Sequence, residues 1–117
     1  MFLKMTIIFK AKSNEAYSIK VLAELLANNI KVGCFEIDET GIYLCMMDTN
    51  RKILISLTLN SENFSLYKFK SKKMYLGINM NHFHKMLKSI KKKDSIQLYI
   101  DDTKPTDLGI KVIPKEN

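Results

Sequence analysis

Arginine is almost missing from this chain: Arg51 stands alone among 19 cationic side chains, and the rest are lysine. An ammonium cannot reproduce the two parallel hydrogen bonds by which a guanidinium reads a guanine edge, which argues against base-specific recognition through arginine. Only 4 glycines and 2 prolines occur, too few for collagen-like repeats or low-complexity disorder. Gly33, Gly41, Gly77 and Gly109 are scattered singly and form no loop that could cradle a phosphate, so nucleotide hydrolysis is not expected. Cys34 and Cys45 lie too far apart for a CxxC motif and are too few for a disulfide framework, so two reduced thiols and no zinc are expected. No apolar run approaches the roughly 20 residues that span a bilayer. The opening segment alternates lysine with apolar residues and shows no small-residue cleavage site. A soluble, intracellular, unprocessed chain without a membrane partner is expected.

What is present fits one hydrophobic core: 117 residues, 46% hydrophobic and 26% charged. The net charge of +7 suggests an anionic partner, and its distribution is more informative than its sum. From Lys68 to Lys93 there are nine lysines and no acidic residue. Lysine without arginine favours sequence-blind contact with phosphates.

The hydrophobic periodicity predicts a strand over about Lys4 to Lys12, then a helix over Glu15 to Asn29 with Ser13 and Asn14 as candidate caps. Ile19, Leu22, Leu26 and Ile30 form its buried stripe, and Lys20, Glu24, Ala27 and Lys31 another. Short β-type runs follow at Cys34–Asp38, Ile42–Met47, Lys52–Leu59 and Asn63–Phe69, read as an antiparallel meander. A hairpin about Asp38-Glu39-Thr40-Gly41 would set Phe35 opposite Leu44, Ile37 opposite Ile42 and Cys34 opposite Cys45. The order then restarts with a strand at Lys73–Asn79, a helix at Met80–Lys92 and strands at Ser95–Ile100 and Asp107–Ile113. Ile37-Asp38-Glu39-Thr40 is echoed by Ile100-Asp101-Asp102-Thr103 at the equivalent place, which supports an internal duplication. The expected fold is α+β, two similar halves with two helices on one face of antiparallel sheet.

The second helix should bury Met80, Phe83, Leu87 and Ile90, leaving Asn81, Lys85, Lys88 and Lys92 at helical spacing on the opposite face. Solvated helix faces usually interleave both signs, and this one carries no acid, which points to a phosphate-facing surface. His82 and His84 are two residues apart, so on a helix they diverge by roughly 200° and cannot share a metal. Asp38/Glu39 and Asp101/Asp102 fall in predicted turns, where aspartate serves backbone hydrogen bonding rather than acid–base chemistry. Met46-Met47 reads as core filling or as an adaptable apolar surface. No enzyme, cofactor or metal is expected.

The run Gly41–Leu59, GIYLCMMDTNRKILISLTL, resembles a segment of proliferating-cell-nuclear-antigen-type sliding clamps in which a strand ends in Met-Asp and the next ends in Leu-Thr-Leu. Phe64 and Tyr67 follow at the family's spacing. Leu76–Lys88, LGINMNHFHKMLK, is similar to the strand end leading into the family's second helix, and Asp94-Ser95-Ile96-Gln97-Leu98 to the strand beyond. The resemblance runs from about Ile19 to Ile113.

It implies the N-terminal domain of a clamp subunit, sheet outside and helices lining a ring around double-stranded DNA. It also implies a DNA polymerase processivity factor without enzymatic activity, serving replication and repair. Lys20, Lys85 and Lys88 match the family's DNA-facing basic positions, and Lys92 is added from the lysine stripe. Met47, Arg51 and Leu54 match positions of the pocket that takes short clamp-binding peptides of DNA polymerase and other proteins, although Met47 and Leu54 read equally well as core. Residues 1–117 would make one clamp domain, lacking the connecting loop and second domain of a full subunit. A homotrimer is then expected of the full-length chain, a monomer of this one, and a clamp loader as a further partner. A subunit of a heteromeric checkpoint-type clamp, or a basic DNA-binding module that does not encircle DNA, are the alternatives. The expected place is the nucleus in a eukaryote, or cytoplasm or a viral replication site for a virus.

Overall fold

The computed structural model describes residues 6–115. It contains β1 (Ile7–Ser13), α1 (Ala16–Ala27), β2 (Val32–Asp38), β3 (Gly41–Met47), β4 (Leu54–Asn60), β5 (Leu66–Phe69), β6 (Met74–Asn79), α2 (Met80–Met86), β7 (Ser95–Asp101) and β8 (Gly109–Ile113). The start of the expected first strand, at Lys4, lies outside the described residues.

The strands form two antiparallel four-stranded sheets. Sheet A has the order β5-β1-β7-β8 and sheet B the order β4-β3-β2-β6. The first strand of each half pairs with the post-helix strand of the other half, β1 with β7 and β6 with β2. The order β1-β7-β8 thus repeats as β6-β2-β3, the duplication that the sequence echo suggested. The echo itself has a shared structure. Asp38 Oδ1 accepts the Thr40 N–H at 2.8 Å and Asp101 Oδ1 accepts the Thr103 N–H at 3.0 Å, each closing the turn after a post-helix strand.

One expectation about the sheets needs correction. The antiparallel sheet is divided in two, and β5 leaves the expected meander to pair with β1 in sheet A. Its inward residues explain the move. Tyr67 and Phe69 set their rings edge-on to Phe9 at 5.5 and 6.4 Å, and the Tyr67 hydroxyl reaches across to donate to the Asp38 carbonyl at 2.6 Å. That bond ties the edge of sheet A to the β2–β3 turn of sheet B. Burial pushes the Tyr67 phenol well above its ordinary value, with nearby Asp38 adding to the effect.

The β2–β3 hairpin has the expected register, Phe35 opposite Leu44 and Ile37 opposite Ile42. Cys34 and Cys45 are free and exposed. Gly41 closes this hairpin at φ +155°, where a Cβ would stand 2.3 Å from the Leu59 carbonyl oxygen, so only glycine fits.

The core lies between the sheets and the helices and is built from Phe9, Leu44, Met80, Leu87, Ile96 and Ile100 with their neighbours. Leu26 and Ile30 of the first expected stripe are buried and Ile19 and Leu22 partly so. Met80, Leu87 and Ile90 of the second are buried and Phe83 partly so. At the start of α1, Ser13 Oγ accepts the Glu15 N–H at 3.0 Å, while Asn14 bonds the Ser95 hydroxyl instead.

Candidate functional site

The helix side of the domain is where the expected phosphate-facing lysines fall, but α2 is shorter than its pattern predicts. The helix ends at Met86, and the chain continues to Ser95 in tight turns closed by three-residue steps: Leu87 N–H to the His84 carbonyl and Ile90 N–H to the Leu87 carbonyl, both at 3.1 Å. Asp94 contributes to the stop. Its buried carboxylate accepts the Lys91 N–H at 2.9 Å, the donor that a continuing helix would give to the Leu87 carbonyl. Like charges at three- and four-residue spacing among Lys85, Lys88, Lys91 and Lys92 weaken any longer helix further. The lysine stripe therefore stands partly on a helix and partly on the turns after it. Asn79 caps α2 at its other end, its side chain accepting the His82 N–H at 3.0 Å.

Lys85, Lys88 and Lys92 are all exposed. Among the described residues the ion pair is Lys73–Glu36 at 3.4 Å, which leaves these three without a carboxylate partner. Lys20 is placed differently. Its Nζ donates to the Ile90 carbonyl at 3.2 Å and lies 5.5 Å from the centre of the Tyr17 ring, tethering α1 to the turn after α2. The early end of α2 leaves that carbonyl without a helical partner, and Lys20 supplies one. Tyr17, Val21 and Leu25 run along the exposed side of α1 at four-residue spacing. The helix side is thus basic along α2 and its following turns and mixed along α1.

The second set of predicted residues lies at the far end of the β3–β4 hairpin. Met47 and Leu54 are register partners, 44% and 62% exposed, so the core alternative does not describe them. Ile53, 57% exposed, extends the apolar patch and was not singled out from the sequence. Arg51 is exposed in the intervening turn at φ +58°. Asp48 holds that turn: its Oδ1 accepts the Lys52 and Ile53 N–H groups at 2.8 and 3.1 Å. Thr49 docks the turn on the segment just after α1, its N–H and hydroxyl both donating to the Asn29 carbonyl, at 2.9 and 3.0 Å. The Met-Asp pair ahead of a short loop was the available signal for Asp48. Among the described residues no cluster of three or more metal-ligating side chains occurs.

A duplicated two-sheet domain with a helix pair on one side, lysines along α2 and an exposed apolar patch at a hairpin end is the architecture of a clamp-type domain. Residues 8–114 match the family model described as proliferating cell nuclear antigen, N-terminal domain. The chain belongs to this family. A DNA polymerase sliding clamp of Thermococcus onnurineus strain NA1 is 42% identical over 82 residues, which cover 68% of this chain and 32% of the relative. The corresponding protein of Thermococcus gammatolerans is 40% identical over the same length. The chain spans about a third of the length of these curated relatives. Among solved structures, the proliferating cellular nuclear antigen of Entamoeba histolytica superposes with a TM-score of 0.78 at 24% identity, covering 95% of this chain and 49% of that one. That likeness establishes the fold.

Proposed function

We propose that this chain is the N-terminal domain of a DNA sliding clamp subunit, a processivity factor that encircles duplex DNA and holds DNA enzymes to it. The observation that carries the reading is the set Lys85, Lys88 and Lys92, without a carboxylate partner among the described residues, on the helix side of a domain of the clamp family. Such lysines offer phosphates contacts that are weak, salt-dependent and blind to sequence, as sliding requires. Lys20 joins them at the edge of its tether to Ile90.

The work is done without bond chemistry. A polymerase held to a trapped ring rebinds its template before it diffuses away, because tethering replaces bulk concentration by a high local one. The Met47, Ile53 and Leu54 patch, with Arg51 beside it, suits a short partner peptide with apolar and aromatic anchors. A clamp loader is the further partner. A longer subunit with a second domain would close as a homotrimer and this chain alone would stay a monomer. The site of action would be a eukaryotic nucleus, or a cytoplasmic site of viral replication.

The test uses light scattering on this chain and on a two-domain parent, and retention of the loaded parent on nicked circular DNA. A monomeric chain, a trimeric parent and release from the circle only after linearisation are expected. Charge reversal of Lys85 and Lys88 should impair loading. A parent that is monomeric, or that leaves closed circles as fast as linear DNA, refutes encirclement by this chain's own copies.

A further inference from the structure

Four lysines that the helix side does not use gather on a second surface. Strand alternation turns Phe9, Ala11, Ile96 and Leu98 inward, so Lys10, Lys12, Gln97 and Tyr99 belong to the outer face of sheet A. Register carries that face across all four strands. Lys68 stands opposite Lys10, Lys10 opposite Tyr99 and Tyr99 opposite Gly109. In the next row Lys12 stands opposite Gln97, and Gln97 opposite Lys111. With strands about 4.8 Å apart and same-face neighbours about 6.7 Å apart along each strand, four lysines surround one tyrosine within a few residue widths. Asp101 shares the face but lies at its end, beyond the β1 bulge, with its carboxylate engaged by the Thr103 N–H. The outer face of sheet B carries Glu36 and Asp38 instead.

Tyr99 is seated in a particular way. A Cβ on Gly109 would meet its ring at 2.3 Å, so the ring occupies the space above the bare glycine, half-buried on this face. A flat aromatic surrounded by ammonium groups is the combination with which sheets take single-stranded nucleic acid, one base stacking while phosphates find cations. We propose that the outer face of sheet A binds single-stranded DNA, with Tyr99 as the stacking platform and Lys10, Lys12, Lys68 and Lys111 on its phosphates, apart from the helix side. An acidic peptide would leave the platform unused, and duplex DNA keeps its bases paired and out of reach. Among the described residues, the exposed large apolar side chains that a membrane would require all lie on other elements. The choice of DNA over RNA rests on the clamp reading above. Such a surface would hold a displaced strand on the outside of a ring whose hole is occupied by duplex.

The experiment is fluorescence anisotropy of this chain with a labelled oligothymidylate of about 20 nucleotides at about 50 mM salt. Lys10→Glu with Lys68→Glu should weaken binding at least about tenfold, and Tyr99→Thr about tenfold, while Tyr99→Phe stays within about twofold. Gly109→Ala, which displaces the ring without removing it, should behave like Tyr99→Thr. Circular dichroism of each variant checks the fold, and the lysine pair, being at the surface, keeps the test decisive if a Tyr99 or Gly109 variant unfolds. Lys85→Glu with Lys88→Glu should weaken oligothymidylate binding less than the Lys10/Lys68 pair does, the helix side giving phosphate contacts without a stacking platform. The proposal is overturned if the oligonucleotide does not bind, if only the Lys85/Lys88 pair abolishes binding, or if polyglutamate competes equally and Tyr99 variants bind as wild type. Equal or tighter binding of oligouridylate overturns the assignment to DNA. Failure of the clamp reading shows separately, in the retention of the two-domain parent on circular DNA.

Discussion

Removing the Asp48 carboxylate should cost both stability and the shape of the apolar patch. The residue is 8% exposed, and a single oxygen accepts two backbone N–H groups at 2.8 and 3.1 Å. The Asp48 N–H donates to the Ile53 carbonyl at 2.9 Å, and the Arg51 N–H to the Asp48 carbonyl at 2.9 Å, so the whole turn is organised about one residue. Hydrogen bonds to a charged group are worth about 1.5–3 kcal/mol each, and water replaces part of that in a turn whose other residues are exposed. Asp48→Ala should therefore lose about 2 kcal/mol by urea unfolding, a fall of roughly 8 °C in Tm for a domain of this size. Asp48→Asn keeps an acceptor oxygen in the same place and should lose less than half as much. Because Met47, Ile53 and Leu54 flank the turn, Asp48→Ala should also weaken a partner peptide more than its global stability loss explains, and Asp48→Asn should restore most of the affinity. A loss under about 0.5 kcal/mol for Asp48→Ala would show that the turn forms without its carboxylate and refute the reasoning.

Leu87 is fully buried just past the end of α2, so Leu87→Ala should cost about 3 kcal/mol by chemical denaturation, and an unchanged midpoint would remove it from the core. Arg51 sits at φ +58°, and Arg51→Gly should gain or hold stability within about 0.5–1 kcal/mol while Arg51→Val loses it, as thermal melts will show. The Thr40 hydroxyl, then the Thr40 and Gly41 N–H groups, hold the Asp38 carboxyl below its ordinary 3.8, and the Thr103 N–H does the same for Asp101. Both carboxylates are depressed in the fold, so their contribution is present above about pH 4 and disappears as pH falls through the depressed values; Asp38→Asn should flatten that acid limb of a stability–pH curve.

Much of the fold was legible because its signals are local. Turn chemistry at Asp38 and Gly41 determined the first hairpin, and inward residues at period two located every strand within a few positions. The destination of β5 was not legible, since alternation in Leu66–Phe69 says which residues are buried and nothing about which sheet edge is free. Tyr67 and Phe69 meet Phe9 across nearly sixty residues of sequence, and only the assembled core shows it. The end of α2 was missed because Leu87 and Ile90 keep helical spacing while the backbone has already left the helix, and Asp94 acts from beyond the pattern. Of the candidate sites, the lysines near α2 form a run in sequence and were seen at once. The outer face of sheet A was not, because Lys10 and Lys68 become neighbours only through strand pairing.

The charges are sorted by surface in a way that solubility alone does not require. A chain selected for solubility would interleave Glu with Lys along Lys85–Lys93 and gain helix from the pairs. This one forgoes those pairs, and α2 ends four residues before its hydrophobic pattern does. It also places Glu36 and Asp38 outward on sheet B, where Lys73 is pulled to Glu36 and its ammonium is stabilised, while sheet A faces outward with lysine on three of its four strands and Asp101 at its end. Each uncompensated cluster raises self-repulsion in the folded state, so each is a standing cost to stability that a bound polyanion would relieve. On that argument the folding stability of the isolated domain should rise with added salt until the clusters are screened. It should rise further, at fixed ionic strength, with an oligonucleotide that binds the folded surfaces.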